Sequence, residues 1–260
     1  MAGGTVAVVT GAGRGLGRAI AARLARRGHR VIATDIDGAA ADATASAIGG
    51  IGVKQDVRDP EAHRAVARAA AAHGALAVWV NNAGVLAVGD AWGIADADVR
   101  RLVEVNLLGV MWGCNAAIPA MAAGGHIVNI ASISGVCPAP GLAAYAAAKH
   151  GVIGYSLSLA GELRRAHPNI RVSALCPDAI AGDMTNAVAH DASAALLFSA
   201  GTLLSFAEVA DAAVDLLDHP RLVRTLPAYR AALIHALRPF PAIGLPLLDG
   251  LARLARRRNR

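Results

Sequence analysis

The sequence predicts an α/β fold, a parallel sheet with helices on both faces. Three observations carry this. Short β-branched runs alternate with longer Ala-rich segments, in units of about 25–40 residues. Most of the short runs are apolar throughout rather than alternating, as strands covered on both faces are. Several of them end in Gly, Asn, Asp or Ser, at the edge where such sheets hold ligands. The 260 residues show no internal linker and no repeat beyond this alternation, so residues 1–226 are expected to form one domain and 227–260 a C-terminal extension.

Taken in order, residues 5–10 read as a buried strand. They lead into Gly11-Ala-Gly-Arg-Gly-Leu-Gly17 and a helical stretch to about Arg27. A glycine-rich turn between strand and helix lets backbone N–H groups reach a pyrophosphate. Gly11, Arg14, Gly15, Leu16 and Gly17 are therefore candidate cofactor contacts. With Leu at position 16 the spacing is Gly11-x-x-x-Gly15-x-Gly17, not the common G-x-G-x-x-G. A plain tight turn would read the same way.

The second strand, 30–34, is followed by Asp35 and Ile36. An acid there can accept both hydroxyls of an adenosine ribose and would repel a 2′-phosphate, which favours NAD over NADP. Arg14 pulls the other way, and Ile36 adds no second cation. Asp35 could instead cap a helix near 38–47. A third strand at about 51–55 ends in Gln55-Asp56-Val57, and Pro60 opens a helix at about 60–72. A fourth, 77–80, ends in Asn81-Asn82-Ala83-Gly84, a cofactor-facing edge or a simple turn.

Residues 96–122 carry Val99, Leu102, Val103, Leu107 and Val110 on one helical stripe, interrupted by Asn106. A polar residue there needs a partner: it is either a satisfied core amide or part of a proton path. Next, His-Ile-Val-Asn-Ile-Ala-Ser is a strand ending at Ser132, and a helix from about 143 to 165 holds Tyr145 and Lys149 one turn apart. A phenol of pKa about 10 is a poor acid–base group at neutral pH. An ammonium one turn away favours the phenolate, and a lowering of two units is worth roughly 2.7 kcal/mol. Ser132 can polarise a substrate oxygen. Apart from Lys54, Lys149 is the only lysine among 25 cations. A bare Tyr-x-x-x-Lys would also suit an ordinary amphipathic helix.

Strand six, 169–175, ends in Cys176-Pro177-Asp178; residues 178–205 read as a loop with short helical pieces. Ser205 or Thr202 caps a helix to about Leu217, and 222–226 is a last strand.

Composition excludes several classes. Hydrophobic residues make up 55% and aromatics only 3%, so Ala, Val, Leu and Ile build the core. Three scattered Cys form neither a metal motif nor a disulfide framework, and the N-terminus lacks a secretory pattern; a cytoplasmic setting without a metal is expected. No uncharged apolar run approaches the roughly 20 residues of a membrane span. The net charge of +6 is unevenly placed. Nine of 25 cations and one of 19 acids lie from Arg221 onward, leaving 16 against 18 before it. The body, at −2, offers no basic face for nucleic acid.

Together these motifs place the chain. From about Thr5 to Leu226 it resembles the short-chain dehydrogenase/reductase family. The resemblance rests on Thr10-Gly11-x-x-x-Gly15-x-Gly17, Asp35, Asp56-Val57, Asn81-Asn82-Ala83-Gly84, Asn106, Ser132 and Tyr145-x-x-x-Lys149, in matching order and spacing. It implies a Rossmann-like sandwich with seven parallel strands and a nicotinamide cofactor. It implies Tyr145 as general acid/base, Ser132 holding the substrate oxygen, and Lys149 on the nicotinamide ribose, lowering the tyrosine pKa. Asn106 would hold a water relaying protons to Lys149. Asp35 would take the adenosine ribose, Asp56 and Val57 the adenine, and Asn82 would lie along the adenine ribose; Ala83, Gly84, Pro177 and Ile180 would be further cofactor contacts. Homodimers or homotetramers through helices 96–122 and 143–165 are also implied. The chain departs from the family after Pro177: Asp178 replaces a Gly, and Gly182 replaces a Thr that anchors the carboxamide, leaving Thr185 as a nearby substitute. Asp178 stands at the mouth or caps a turn.

The reading is hydride exchange between NAD and an apolar secondary alcohol or ketone. Alternatives are an NADP-dependent reductase of acyl or polyketide-type carbonyls, or a non-catalytic cofactor-binding protein. In the extension, Leu247, Leu248, Leu251, Leu254 and Ala255 share a helical face beside Arg253 and Arg256–Arg258. Such a helix packs on the body or a partner subunit, or lies on an anionic membrane. Phe240, between two prolines, could cover a substrate cleft.

Overall fold

The computed structural model describes residues 4–121, 123–199, 202–230, 232 and 241–258; Phe240 lies outside them. Seven parallel strands form one sheet in the order β3-β2-β1-β4-β5-β6-β7. They are β1 Thr5–Thr10, β2 Arg30–Asp35, β3 Ile51–Lys54, β4 Ala75–Asn81, β5 Gly125–Ile130, β6 Ile170–Pro177 and β7 Val223–Leu226. The helices are α1 Gly15–Arg26, α2 Gly38–Ile48, α3 Pro60–His73, α4 Asp96–Val103, α5 Gly109–Ala120, α6 Ala143–Ala166, the one-turn α7 Asp183–Asn186, α8 Phe206–Asp218 and α9 Pro241–Arg258. This is the expected Rossmann-like, three-layer architecture.

Inward-facing strand residues split into two cores, one on each face. Val6, Val8, Trp79 and Ile127 pack with α3, α5 and α6 residues such as Val66, Val110 and Val152. Ala7, Val9, Val78, Val80 and Val128 pack with α1 and α8 through Ile20, Leu24, Val209 and Leu216. Polar pairs fasten the second layer: Arg23 to Asp211, and Arg27 to Asp218 at 2.5 Å.

Two expectations about helices are refined. Asp37, not Asp35, caps α2, accepting from Ala40 N at 3.1 Å. The helix expected over 96–122 ends at Ala120 and is not uniform: Glu104–Leu108 is a π-helical turn between α4 and α5. Such turns are found mostly as single-turn bulges inside α-helices, frequently at functional sites, and this one carries Asn106.

His126, at the start of β5, is buried with Nε2 2.8 Å from Ser173 Oγ. Burial pushes its pKa down to about 4, against about 6.5 in the unfolded chain. Between these values the unfolded chain binds the extra proton, so stability is full above pH 6.5 and is lost as pH falls toward 4. The expected loss from this group is about 3 kcal/mol. Urea melts at both pH values should show it, with a flatter dependence in His126→Gln.

Candidate active site

The strand order reverses between β1 and β4, and open parallel sheets bind ligands outside the carboxyl ends at such a point. Thr10-Gly11 and Asn82-Ala83 meet there. Gly11 (φ +62°) and Gly15 (φ +54°) use left-handed backbone. A Cβ on Gly17 would collide with the Gly11 carbonyl, and one on Gly11 would lie 2.8 Å from Ala83 Cα. The loop can hold only glycine at these positions.

The α1 N-terminus is left open for an anion. Arg14 provides no side-chain cap and the first turn has no acid, whereas Asp37, Asp59 and Ser205 cap α2, α3 and α8. Uncapped N–H groups beside a side-chain-free cradle fit a pyrophosphate. Arg14 stands in solvent, 3.7 Å from Asp183.

Asp35 ends β2 and reaches back to this loop. Its Oδ2 accepts from Gly13 N at 2.9 Å and its Oδ1 from Asp37 N at 3.1 Å. Ile36 beside it is exposed. Asp56 holds Arg58 in a fork, and that guanidinium keeps its carboxyl below the ordinary range. The Val57 carbonyl faces His63 Nε2 at 2.9 Å. Asn82 spends its amide nitrogen on the carbonyls of Thr10 (2.8 Å) and Gly11 (3.0 Å). It therefore braces the glycine loop, a task the sequence reading did not foresee. Thr10 Oγ1 accepts from Asn82 N and Ala83 N.

The trio Ser132, Tyr145 and Lys149 converges at the carboxyl end of β5. Ser132 follows the strand, and its hydroxyl lies within hydrogen-bond reach of the Tyr145 phenol. Lys149 is buried; its Nζ donates to the Ile130 carbonyl at 2.8 Å and lies 5.7 Å from the Tyr145 ring centroid. Gly135 keeps the segments close, since a Cβ there would lie 2.7 Å from the Lys149 carbonyl.

The electrostatics differ from the expectation. Burial pushes the Tyr145 phenol up to about 12, partly offset by the Ser132 hydrogen bond. Burial also pulls Lys149 down to about 8. Desolvation outweighs the helpful cation here because the ammonium is directed at Ile130 rather than at the phenol oxygen.

Asn106 is fully buried. Its Oδ1 accepts from Val85 N at 2.9 Å and its Nδ2 donates to Val85 O at 2.8 Å. The core-amide reading thus holds for the side chain. It also lies beside Lys149: a Cβ on Gly84 would be 3.1 Å from Asn106 Oδ1 and 3.9 Å from Lys149 Nζ.

On the far side, β6 ends at buried Pro177. Asp178 caps the turn, its Oδ1 accepting from Ala179 N at 2.9 Å, and its Oδ2 sits 2.8 Å from Arg230 Nη1. Thr185 turns its hydroxyl onto its own loop, at 2.7 Å from Ile180 O and 2.9 Å from Gly182 O. Ile180 itself bridges to Leu204. A separate groove of about 460 Å³, lined by Arg27, His29, His126 and Arg171 among others, lies at the amino ends of the strands and contains none of these residues.

This assembly of glycine loop, acid and Ser–Tyr–Lys trio coincides with a match to the sequence model of the short chain dehydrogenase family over residues 5–193. The chain belongs to that family. It is 38% identical over 216 residues to the 3-oxoacyl-[acyl-carrier-protein] reductase FabG of Escherichia coli, covering 80% of this chain and 88% of that one. It is 37% identical to carbonyl reductase family member 4 of Danio rerio, covering 83% and 92%. The match to the sex determination protein tasselseed-2 of Zea mays, 40% identical over 70% of this chain, spans only 56% of that protein. A crystal structure of a short chain dehydrogenase/reductase from Burkholderia phymatum in complex with NAD superposes with a TM-score of 0.84 at 28% identity, covering 94% of this chain and 96% of that one.

Within this short chain dehydrogenase frame, some site residues escaped the sequence reading. Phe206 packs its ring on the glycine loop and the β6 loop, 3.2 Å from where a Gly15 Cβ would stand. Arg230 reaches Asp178 from the extension. Cys176, its thiol pushed up to about 12 by burial, lies close enough to affect the titration of both Tyr145 and Lys149. Asn129 links Asn81 (2.8 Å) to Ser156 (2.9 Å) under β5. Only Phe206 had a local signal, as the first residue after a helix cap.

Proposed function

We propose that the protein is an NAD-preferring oxidoreductase that interconverts apolar secondary alcohols and ketones. The observation that carries this is the approach of Ser132, Tyr145 and Lys149 to one another at the ligand-binding edge, beside an uncapped helix and a glycine cradle. In this reading the backbone of Gly11–Gly17, with Arg14 and Leu16, receives the pyrophosphate. Asp35 and Ile36 border the adenosine ribose, and Asp56 and Val57 the adenine. Asn82, Ala83 and Gly84 form the floor, and Lys149, Pro177 and Ile180 surround the nicotinamide end.

The bound cofactor supplies the hydride exchange. The protein's own part is proton handling and orientation. The Tyr145 phenol gives its proton to the carbonyl oxygen during reduction and recovers it during oxidation. The Ser132 hydroxyl donates to that same oxygen, and Lys149 keeps a positive charge beside the phenol. Asn106 holds the Val85 segment against Lys149 on the path by which the proton is replaced. The apolar content of the segments 85–95, 133–144 and 184–204 supports an apolar substrate. A C-terminal extension from residue 227 supplements a single catalytic domain. Half-exposed apolar residues on α6, such as Leu157, support assembly as a homodimer or homotetramer. Three free cysteines support a cytoplasmic setting.

The test is a panel of alcohols and ketones with NAD and NADP side by side, read at the nicotinamide absorbance. Asp35 predicts a dissociation constant for NADP at least about tenfold above that for NAD, because a carboxylate facing a 2′-phosphate is repelled. Asp35→Ser should narrow that gap. Equal affinities in the wild type would instead favour the second reading, an NADP-dependent reductase of acyl carbonyls. That reading draws on Arg14 in the loop and on the likeness to a 3-oxoacyl reductase.

A further inference from the structure

The last helix, α9, leaves its most apolar stripe uncovered. Ile243, Leu247, Leu251 and Leu254 follow one another at spacings of four, four and three, so they share one side of the helix. Their exposures are 57, 50, 36 and 57%. Another face, with Gly244, Leu248 and Ala252, is half-buried, and the helix rests on the 3₁₀ turn Ala192–Phe198. The packed-on-body expectation therefore accounts for one face of α9 and not for the other.

Charge decides what the open face meets. Within 241–258 the sequence carries four Arg against Asp249 alone, a net +3, while Arg224 and Arg230 earlier in the same basic segment are spent on Asp215 and Asp178. Arg253 is exposed beside the stripe. A two-fold pairing of this stripe with its copy would bring two such segments together, and like charges oppose it. An exposed apolar stripe on a helix with exposed Arg253 and a net positive charge in its sequence matches an anionic bilayer surface, where the leucines enter the acyl boundary and the cationic segment meets phosphate.

A second exposed apolar group hangs from the same support. Trp92 is 88% exposed, and Gly89 in its loop donates to the Gly141 carbonyl at 2.9 Å. Gly141 in turn abuts Ser193, in the segment beneath α9. Tryptophan is the side chain that settles at membrane–water interfaces.

We propose that α9, helped by Trp92, docks this protein peripherally on anionic lipid, a property independent of the reaction assigned above. The full chain should sediment with phosphatidylglycerol–phosphatidylcholine vesicles at least about tenfold more strongly than with phosphatidylcholine alone, and high salt should release it. Leu247→Glu with Leu251→Glu should cut that binding by about tenfold or more while the thermal melt stays unchanged, since neither side chain is in the core. The lipid-induced tryptophan emission shift should be lost in Trp92→Phe. Failure to sediment, equal binding to neutral vesicles, or full binding by the double variant would overturn the proposal. So would a fall in the mass of the double variant by light scattering, which would assign the stripe to a second copy. Should the variant fail to fold, the wild-type comparison of anionic with neutral vesicles decides alone.

Discussion

Tyr145→Phe should lower kcat/KM by roughly 10³-fold, the usual worth of a positioned acid–base group. The substitution removes one oxygen and keeps the ring, so packing against Lys149 and the α6 backbone is retained. Cofactor affinity should stay within about twofold, because uniform binding does not depend on the proton donor. Two readouts check this: turnover at the nicotinamide absorbance, and cofactor dissociation by calorimetry. The phenol's elevated pKa, about 12, keeps Tyr145 in its protonated form at neutral pH and leaves the phenolate scarce. Carbonyl reduction should therefore be the easier direction near pH 7. Turnover retained by the Phe variant would remove Tyr145 from its role without touching the family assignment.

The second large effect belongs to Lys149, and its sign follows from two titrations. In the proposed reaction, alcohol oxidation needs the Tyr145 phenolate and the Lys149 ammonium together. Below pH 8 the ammonium is present and the phenolate fraction grows about tenfold per pH unit, so kcat/KM should rise with that slope. Above the Lys149 pKa of about 8, each further unit gains phenolate and loses ammonium in equal measure, and the profile should level. Lys149→Met should lower oxidation by about 10²–10³-fold and remove the break near pH 8. The Met side chain fills the same buried space, so the loss reads charge rather than a cavity. A wild-type profile that climbs without a break through pH 9 would deny Lys149 its part.

Most of the architecture was legible from residues alone, and the reason is that its signals are local. Apolar runs, Pro60 at the start of α3, the Ser205 cap of α8 and the glycines after β1 each act over a few residues. The trio was legible for the same reason: Tyr145 and Lys149 are one helical turn apart, and Ser132 stands at a strand end. The π-helical turn at Asn106 was not, because a stripe of Val and Leu is shared by α- and π-helical windings and packing selects between them. The cap of α2 by Asp37 was missed by two residues, since either acid could reach the helix start until Gly13 claimed Asp35.

What the chain determined by itself was the order of strands and helices, the glycine cradle and the spacing that brings Ser132, Tyr145 and Lys149 to one strand end. Tertiary structure decided what those side chains are like. It set the pKa directions of Tyr145 and Lys149, because desolvation depends on how much of the molecule closes around a group. It also brought Arg230 to Asp178, Phe206 to Gly15 and Asn82 to Gly11. These contacts span from 52 to 191 residues of chain, and no periodicity or turn signal reaches that far.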